Sequence, residues 1–223
     1  MNFSALPFAC YAFFAFFLVS TALELFFAFL EWELPRKIVK PFCVAFLSLM
    51  FAFWHPDIWW VALGFAFGAM GDVLLIFKHK VWTLVTGTIC FFLNHLSFIF
   101  TSFWISVPMP TYQYWVFGGI AALILATGYP LLHKAIKTPG LAAGGVIYLA
   151  SIVLDLVAAV LALVNKMQPV GYFNLAGMLC FCVSDAYLVK TLFIQDDKRR
   201  DFYIMGTYLL AQVLILFGFG FYF

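Results

Sequence analysis

Gly71-Asp72-Val73-Leu74-Leu75 decides how this chain is read. It lies near the end of the hydrophobic run Ile58 to Phe77 and puts a carboxylate where the rest of the run reads as lipid-embedded helix. Val183-Ser184-Asp185-Ala186-Tyr187 does the same near the end of the run Val170 to Phe193. Asp72 stands six residues before Lys78, and Asp185 five before Lys190. At the helical rise, the acids lie about 9 and 8 Å below a basic residue that marks a membrane face. An ionisable group at that depth is costly against hydrocarbon, so it turns to the bundle interior and is a functional candidate.

Outward from these two stretches the chain is apolar throughout. Of its 223 residues, 66% are hydrophobic and 10% charged, against about a quarter charged in soluble domains. The reading is all-α: a polytopic membrane bundle forming a single domain. About 20 apolar residues cross a bilayer. Eight runs qualify: Leu6–Leu30, Ile38–Trp54, Ile58–Phe77, Val81–Trp104, Tyr112–Leu132, Leu141–Val164, Val170–Phe193 and Phe202–Phe223. Short connections make neighbouring spans antiparallel. Met1 to Pro7 carries no Lys or Arg, so the first run reads as a retained span and not a cleaved signal. The five cysteines all fall inside apolar runs and read as buried free thiols.

Charge placement sets the expected orientation. Arg36, Lys37, Lys40, Lys78, Lys80, Lys134, Lys137, Lys190, Lys198, Arg199 and Arg200 fall on one side; of the 12 basic residues only Lys166 falls on the other. The positive-inside rule makes the basic side cytoplasmic and both termini non-cytoplasmic. Trp32 and Trp82 sit at the basic end, and Trp54, Trp59, Trp60, Trp104 and Trp115 at the other, as interfacial belts do. The third and seventh spans are then parallel, with Asp72 and Asp185 at nearly equal depth in the cytoplasmic half. Their separation of 113 residues fits a duplicated four-span unit with a site between its halves. A net charge of +2 is too small to argue for nucleic acid. Short loops and compact length fit a bacterial inner membrane.

Other polar residues share these faces. Gly64, Gly68 and Gly71 accompany Asp72, and small residues at that spacing admit another backbone. Asn174, Gly177 and Ser184 accompany Asp185; Tyr148, Ser151 and Asp155 line the sixth span; Tyr208 and Gln212 lie one turn apart in the eighth. Lys40 either joins a site or snorkels to the surface. His95 reads as a packing histidine or a ligand contact. Asp155 falls in the outer half of its span, away from the principal acids, and reads as structural or water-lined. Glu24 is at a depth where it can pair with Lys40, its role open among ligand, structure and catalysis. Asp72 and Asp185 have a structural alternative in interhelical bonding, but two acids at matched depth ask for more than glue. No phosphate-cradling glycine loop, nucleophile elbow or zinc-protease helix occurs. His79 and His133 stand at span ends without metal-spaced partners, and His55 lies in an outer turn.

The ordered set Lys40-Pro41, Gly71-Asp72-Val73-Leu74-Leu75, Gly87 with Phe91 and His95, Tyr148, Ser184-Asp185, and Tyr208 with Ala211-Gln212 resembles the YhhN/lysoplasmalogenase family of eight-helix membrane proteins. That resemblance implies an ether hydrolase cleaving the vinyl ether of a lysoplasmalogen, a lysophospholipid, into a fatty aldehyde and glycerophosphoethanolamine or glycerophosphocholine. The chemistry needs a neutral carboxylic acid to protonate the outer alkene carbon. It also needs a carboxylate to stabilise the resulting oxocarbenium ion and activate water. Burial and a neighbouring charge let paired carboxyls split such roles, as they do in glycosidases. Asp72 and Asp185 are the expected catalytic pair. Lys40 is expected to hold phosphate and Tyr208 and Gln212 to orient substrate or water; His95, Tyr148, Ser184 and Glu24 complete the expected binding set. The lipid would enter from the bilayer, and no metal or organic cofactor is called for. Two rival readings stand beside this one: a proton-coupled transporter, since intramembrane acids also relay protons, and a non-catalytic lipid-binding protein.

Overall fold

A computed structural model describes residues 6–77, 80–106, 109–135, 139–193 and 197–223. They form eight α-helices: α1 Phe8–Phe29, α2 Glu33–Trp54, α3 Trp59–Leu75, α4 Val81–Ile105, α5 Thr111–Ala135, α6 Pro139–Val164, α7 Val170–Phe193 and α8 Arg200–Tyr222. Helices are expected of such runs, because in hydrocarbon every backbone N–H and C=O must bond within its own segment. Seven helical stretches among the described residues are long and apolar enough to cross a membrane. They comprise Pro56–Leu75 together with stretches of α1, α2, α4, α6, α7 and α8. At 25 residues α5 has the length, but Tyr112, Gln113 and Tyr114 crowd its start.

The boundaries depart from expectation mainly in α2. It begins at Glu33, so Arg36 and Lys37 lie on the helix and not in a loop, and Pro41 is interior to the helix instead of opening it. Pro41 lacks the N–H that would reach the carbonyl of Lys37. Pro130 is likewise interior to α5. Two helices end on a left-handed residue: Glu31 after α1 and Lys166 after α6, each with φ 59°. There Trp32 N–H reaches back to Phe27 O at 2.9 Å and Met167 N–H to Ala162 O at 2.9 Å, satisfying last-turn carbonyls. Lys78, His79 and Lys137 lie outside the described residues, as does the side chain of His133.

Seven helices close a ring, each packing on the next in the order α1, α2, α3, α4, α6, α7, α8 and back to α1, with α8 also touching α2. The fifth helix stays outside, against α6. The helices carrying Asp72 and Asp185, α3 and α7, form no packed pair among the described residues, so the acids are presented from separate arcs of the ring. Buried aromatics fill the end opposite Lys40, Phe65 on Phe98 at 5.0 Å and Phe98 on Phe219 at 5.8 Å, and the half-buried Trp60 meets the exposed Trp104 at 5.0 Å beside them. Phe16, Leu18, Val19 and Phe100 face outward, as lipid-facing residues do.

Candidate functional site

Asp72 is buried near the C-terminal end of α3. Lys40 Nζ stands 3.5 Å from its Oδ1, so this lysine turns inward instead of snorkelling. The Tyr208 hydroxyl from α8 approaches both Asp72 and Gln212 without completing a hydrogen bond to either. One turn before Asp72, a Cβ on Gly68 would come within 3.3 Å of the Tyr208 hydroxyl and 3.5 Å of both Asn94 Nδ2 and Gln212 Nε2. A bare backbone at Gly68 therefore lets three polar groups from α4 and α8 converge above Asp72. Gly71 makes the same allowance for Phe91, whose ring a Cβ would meet at 2.7 Å.

Asp185, on α7, accepts a hydrogen bond of 2.6 Å from the Tyr148 hydroxyl of α6. The two carboxyls thus have separate first partners, Lys40 and Tyr148. Phe181 joins their surroundings: it meets Tyr208 on one side and, on the other, His95, which borders Tyr148. Tyr208 meets Phe181 of α7 at 5.5 Å and Phe91 of α4 at 5.9 Å.

His95 is packed edge-on against Phe181 at 4.5 Å and lies 6.1 Å from the Tyr148 ring. Its Nδ1 stands 2.9 Å from Asp155 Oδ2. Depth along the sixth span set Asp155 apart from the principal acids. In the fold it is one hydrogen bond from His95, whose ring borders Tyr148, the partner of Asp185. The reason is parallel packing: α4 and α6 lie against each other and both rise from the basic end, so His95 and Asp155, about 21 and 24 Å along them, stand at nearly the same level.

A cluster of buried polar atoms with no hydrogen-bond partner marks the same region: Asp72 Oδ2, Asn94 Oδ1, His95 Nε2, the Tyr208 hydroxyl and both amide atoms of Gln212. Native interiors carry few such groups, each costing about 1–3 kcal/mol if left unmade. Tyr208, Asn94 and Gln212 among them converge on Gly68, one turn from Asp72. Asn94 is held in position by its Nδ2 donating to Gly64 O at 2.8 Å.

Two expected members stand differently. The Ser184 hydroxyl donates to Ile204 O at 3.0 Å, tying α7 to α8. Glu24 pairs with Arg36, not with Lys40: Arg36 Nε donates to its Oε1 at 2.9 Å, and the same guanidinium binds Asp201 of α8. The earlier start of α2 is what brings Arg36 onto the inward face. Asp201, Arg36 and Glu24, followed by Lys40 and Asp72, make an alternating line of charge from the rim to the interior. A cavity of about 350 Å³ lies at its outer end, lined by Arg36, Asp197, Lys198, Arg200 and Asp201 among others.

A model of the YhhN family matches residues 35–219. The chain belongs to the YhhN family. No curated protein and no solved structure matches it. The YhhN match spans Lys40, Asp72, His95, Tyr148, Asp155, Asp185, Tyr208 and Gln212, and leaves out Glu24 on α1. Arg36, the partner of Glu24, lies just inside it.

Proposed function

We propose that this YhhN protein is a membrane-embedded lysoplasmalogenase, hydrolysing the vinyl ether of a lysoplasmalogen to a fatty aldehyde and a glycerophospho compound. The observation that carries the reading is the set of buried polar atoms without a hydrogen-bond partner among the described residues, gathered around Gly68 and Asp72, together with two buried acids of unlike partners. Asp72, ion-paired with Lys40, suits the carboxylate that faces an oxocarbenium ion. Asp185, bonded by an uncharged phenol, suits the acid: its second oxygen carries the proton delivered to the outer alkene carbon. Water then adds to the cationic carbon, and the hemiacetal breaks to aldehyde and the glycerol hydroxyl. Tyr208, Gln212 and Asn94 orient water and the glycerol oxygens. With Lys40 engaged by Asp72, the phosphate falls to cations nearer the rim. The alkenyl chain lies among the apolar helix faces. The basic end faces the cytoplasm in this reading, so the site opens toward that leaflet.

The test is purified protein in lipid nanodiscs, given a lysoplasmalogen and, separately, its saturated alkyl-ether analogue. Aldehyde release from the first and none from the second is the expected result, since only the alkene can be protonated to an oxocarbenium ion. Lipid flux across sealed vesicles with no aldehyde formed would overturn the reading in favour of a carrier.

A further inference from the structure

His95 and Asp155 form a buried pair that neither acid of the proposed reaction uses. Both side chains lie almost wholly out of solvent contact, at 0% and 3% exposure. Nδ1 of His95 is committed to Asp155 Oδ2 at 2.9 Å, while Nε2 has no hydrogen-bond partner among the described residues. A neutral imidazole carries one N–H; when Nδ1–H donates to a carboxylate, Nε2 is left as an acceptor with its lone pair free. The ring is held edge-on by Phe181 and borders Tyr148, whose hydroxyl donates to Asp185. This is the base-plus-orienting-carboxylate arrangement of a general-base catalyst, set against the catalytic acid and among the unpartnered groups.

We infer that His95 is the base that takes a proton from the attacking water, and that Asp155 is the positioning residue that fixes its tautomer. The inference rests on the proposed vinyl ether hydrolysis and assigns its second step. After the alkene carbon is protonated, water oxygen bonds to the oxocarbenium carbon while one water proton passes to Nε2. The product is a neutral hemiacetal and an imidazolium. The imidazolium stands beside the Asp155 carboxylate, which stabilises its charge. When the hemiacetal's carbon–oxygen bond to glycerol breaks, the hemiacetal hydroxyl gives its proton to the Asp185 carboxylate, restoring the acid, and becomes the aldehyde carbonyl. The glycerol oxygen takes the proton of the imidazolium, and the imidazole returns to its neutral form. Protons balance with no oxidant or further reactant. This division leaves Asp72 free to remain a carboxylate throughout.

Two measurements on the full-length protein in nanodiscs test this. The first is aldehyde release by wild type, His95→Gln, Asp155→Asn and the double variant. Glutamine preserves packing and can still bond Asp155, so a general-base role predicts a kcat loss of about 100-fold or more with KM little changed. Asp155→Asn is expected to lose less, and to add nothing in the His95→Gln background because it acts through the ring. The second is ¹⁵N NMR of histidine-labelled protein, four histidines in all. It is expected to show His95 protonated on Nδ1 and bare on Nε2 in wild type, and shifted toward Nε2–H in Asp155→Asn. A wild-type rate in His95→Gln, or an Nε2–H tautomer in wild type, would overturn the assignment while leaving the reaction standing. Absence of aldehyde from wild type itself would instead remove the reaction.

Discussion

Helices α1–α4 and α5–α8 pack by corresponding contacts. In each half the first helix lies on the second, the second on the third and the third on the fourth; α4 meets α6 as α8 meets α2. That correspondence accords with the duplicated unit suggested by the spacing of the acids. The chemistry is not duplicated. The acid on the third helix of each half takes its partner from the second helix, but Asp72 receives an ammonium and Asp185 a phenol. The first helices also differ: α1 is drawn into the ring, its Glu24 bonded to Arg36 of α2, while α5 stays outside, with nothing within 4 Å of where a side chain would start at Gly118 or Gly119. The lesson is that a similar frame can present two carboxyls to partners of unlike charge.

The largest effect expected is on turnover. Asp72→Asn and Asp185→Asn should each lower aldehyde release by about 10²–10⁴-fold in a purified-protein assay, the range for losing a positioned acid or base. If one substitution is silent, the two halves do not share the work. Next comes the contrast in partners. Lys40→Met strands a buried carboxylate and should cost about 3 kcal/mol or more in thermal or denaturant unfolding. Tyr148→Phe removes one hydrogen bond and should cost about 1–2 kcal/mol; equal costs would erase the distinction drawn between the acids. Gly68→Ala sharpens the location of the site: its Cβ would press on the Tyr208 hydroxyl at 3.3 Å and touch Asn94 and Gln212, so turnover should fall several-fold in a protein that still elutes as a folded species. Gly118→Ala on peripheral α5, which meets open space, should leave turnover unchanged and gain up to about 1 kcal/mol from helix propensity.

The smallest effect concerns His55, in the turn between α2 and α3. Its Nε2 donates to Gly220 O at 2.8 Å, and burial pushes its pKa below the usual 6.5, with the Gly220 bond opposing. The unfolded chain therefore binds the proton more readily, so this contribution to stability is present above pH 6.5 and is lost as pH falls through the lowered value. A melting temperature that declines on acidification in wild type, and less steeply in His55→Gln, is the expected pattern.

Much of this was legible in the sequence because lipid leaves few options. Lone acids in apolar runs disclosed Asp72 and Asp185, and glycine spacing disclosed the close approach at Gly68. What escaped depends on side-chain azimuth and ring order, which hydropathy does not encode. Asp155 was set aside by its depth, yet α6 packs on α4 and places it against His95. Depth alone lets Glu24 pair with Lys40. Because α2 begins at Glu33, Arg36 lies within the helix and reaches Glu24 first. The exclusion of α5 from the ring has no signature in its composition, since its glycines and small residues suit a packed helix equally well.

The proposed reaction needs Asp72 and Asp185 to act on one substrate in one site. A double-variant cycle tests that directly: aldehyde release by wild type, Asp72→Asn, Asp185→Asn and the combined variant, with folding checked by elution profile. Residues that act as a unit are strongly non-additive, so the combined variant is expected to be no slower than the worse single one. Losses that multiply, or turnover retained in both single variants, would contradict it.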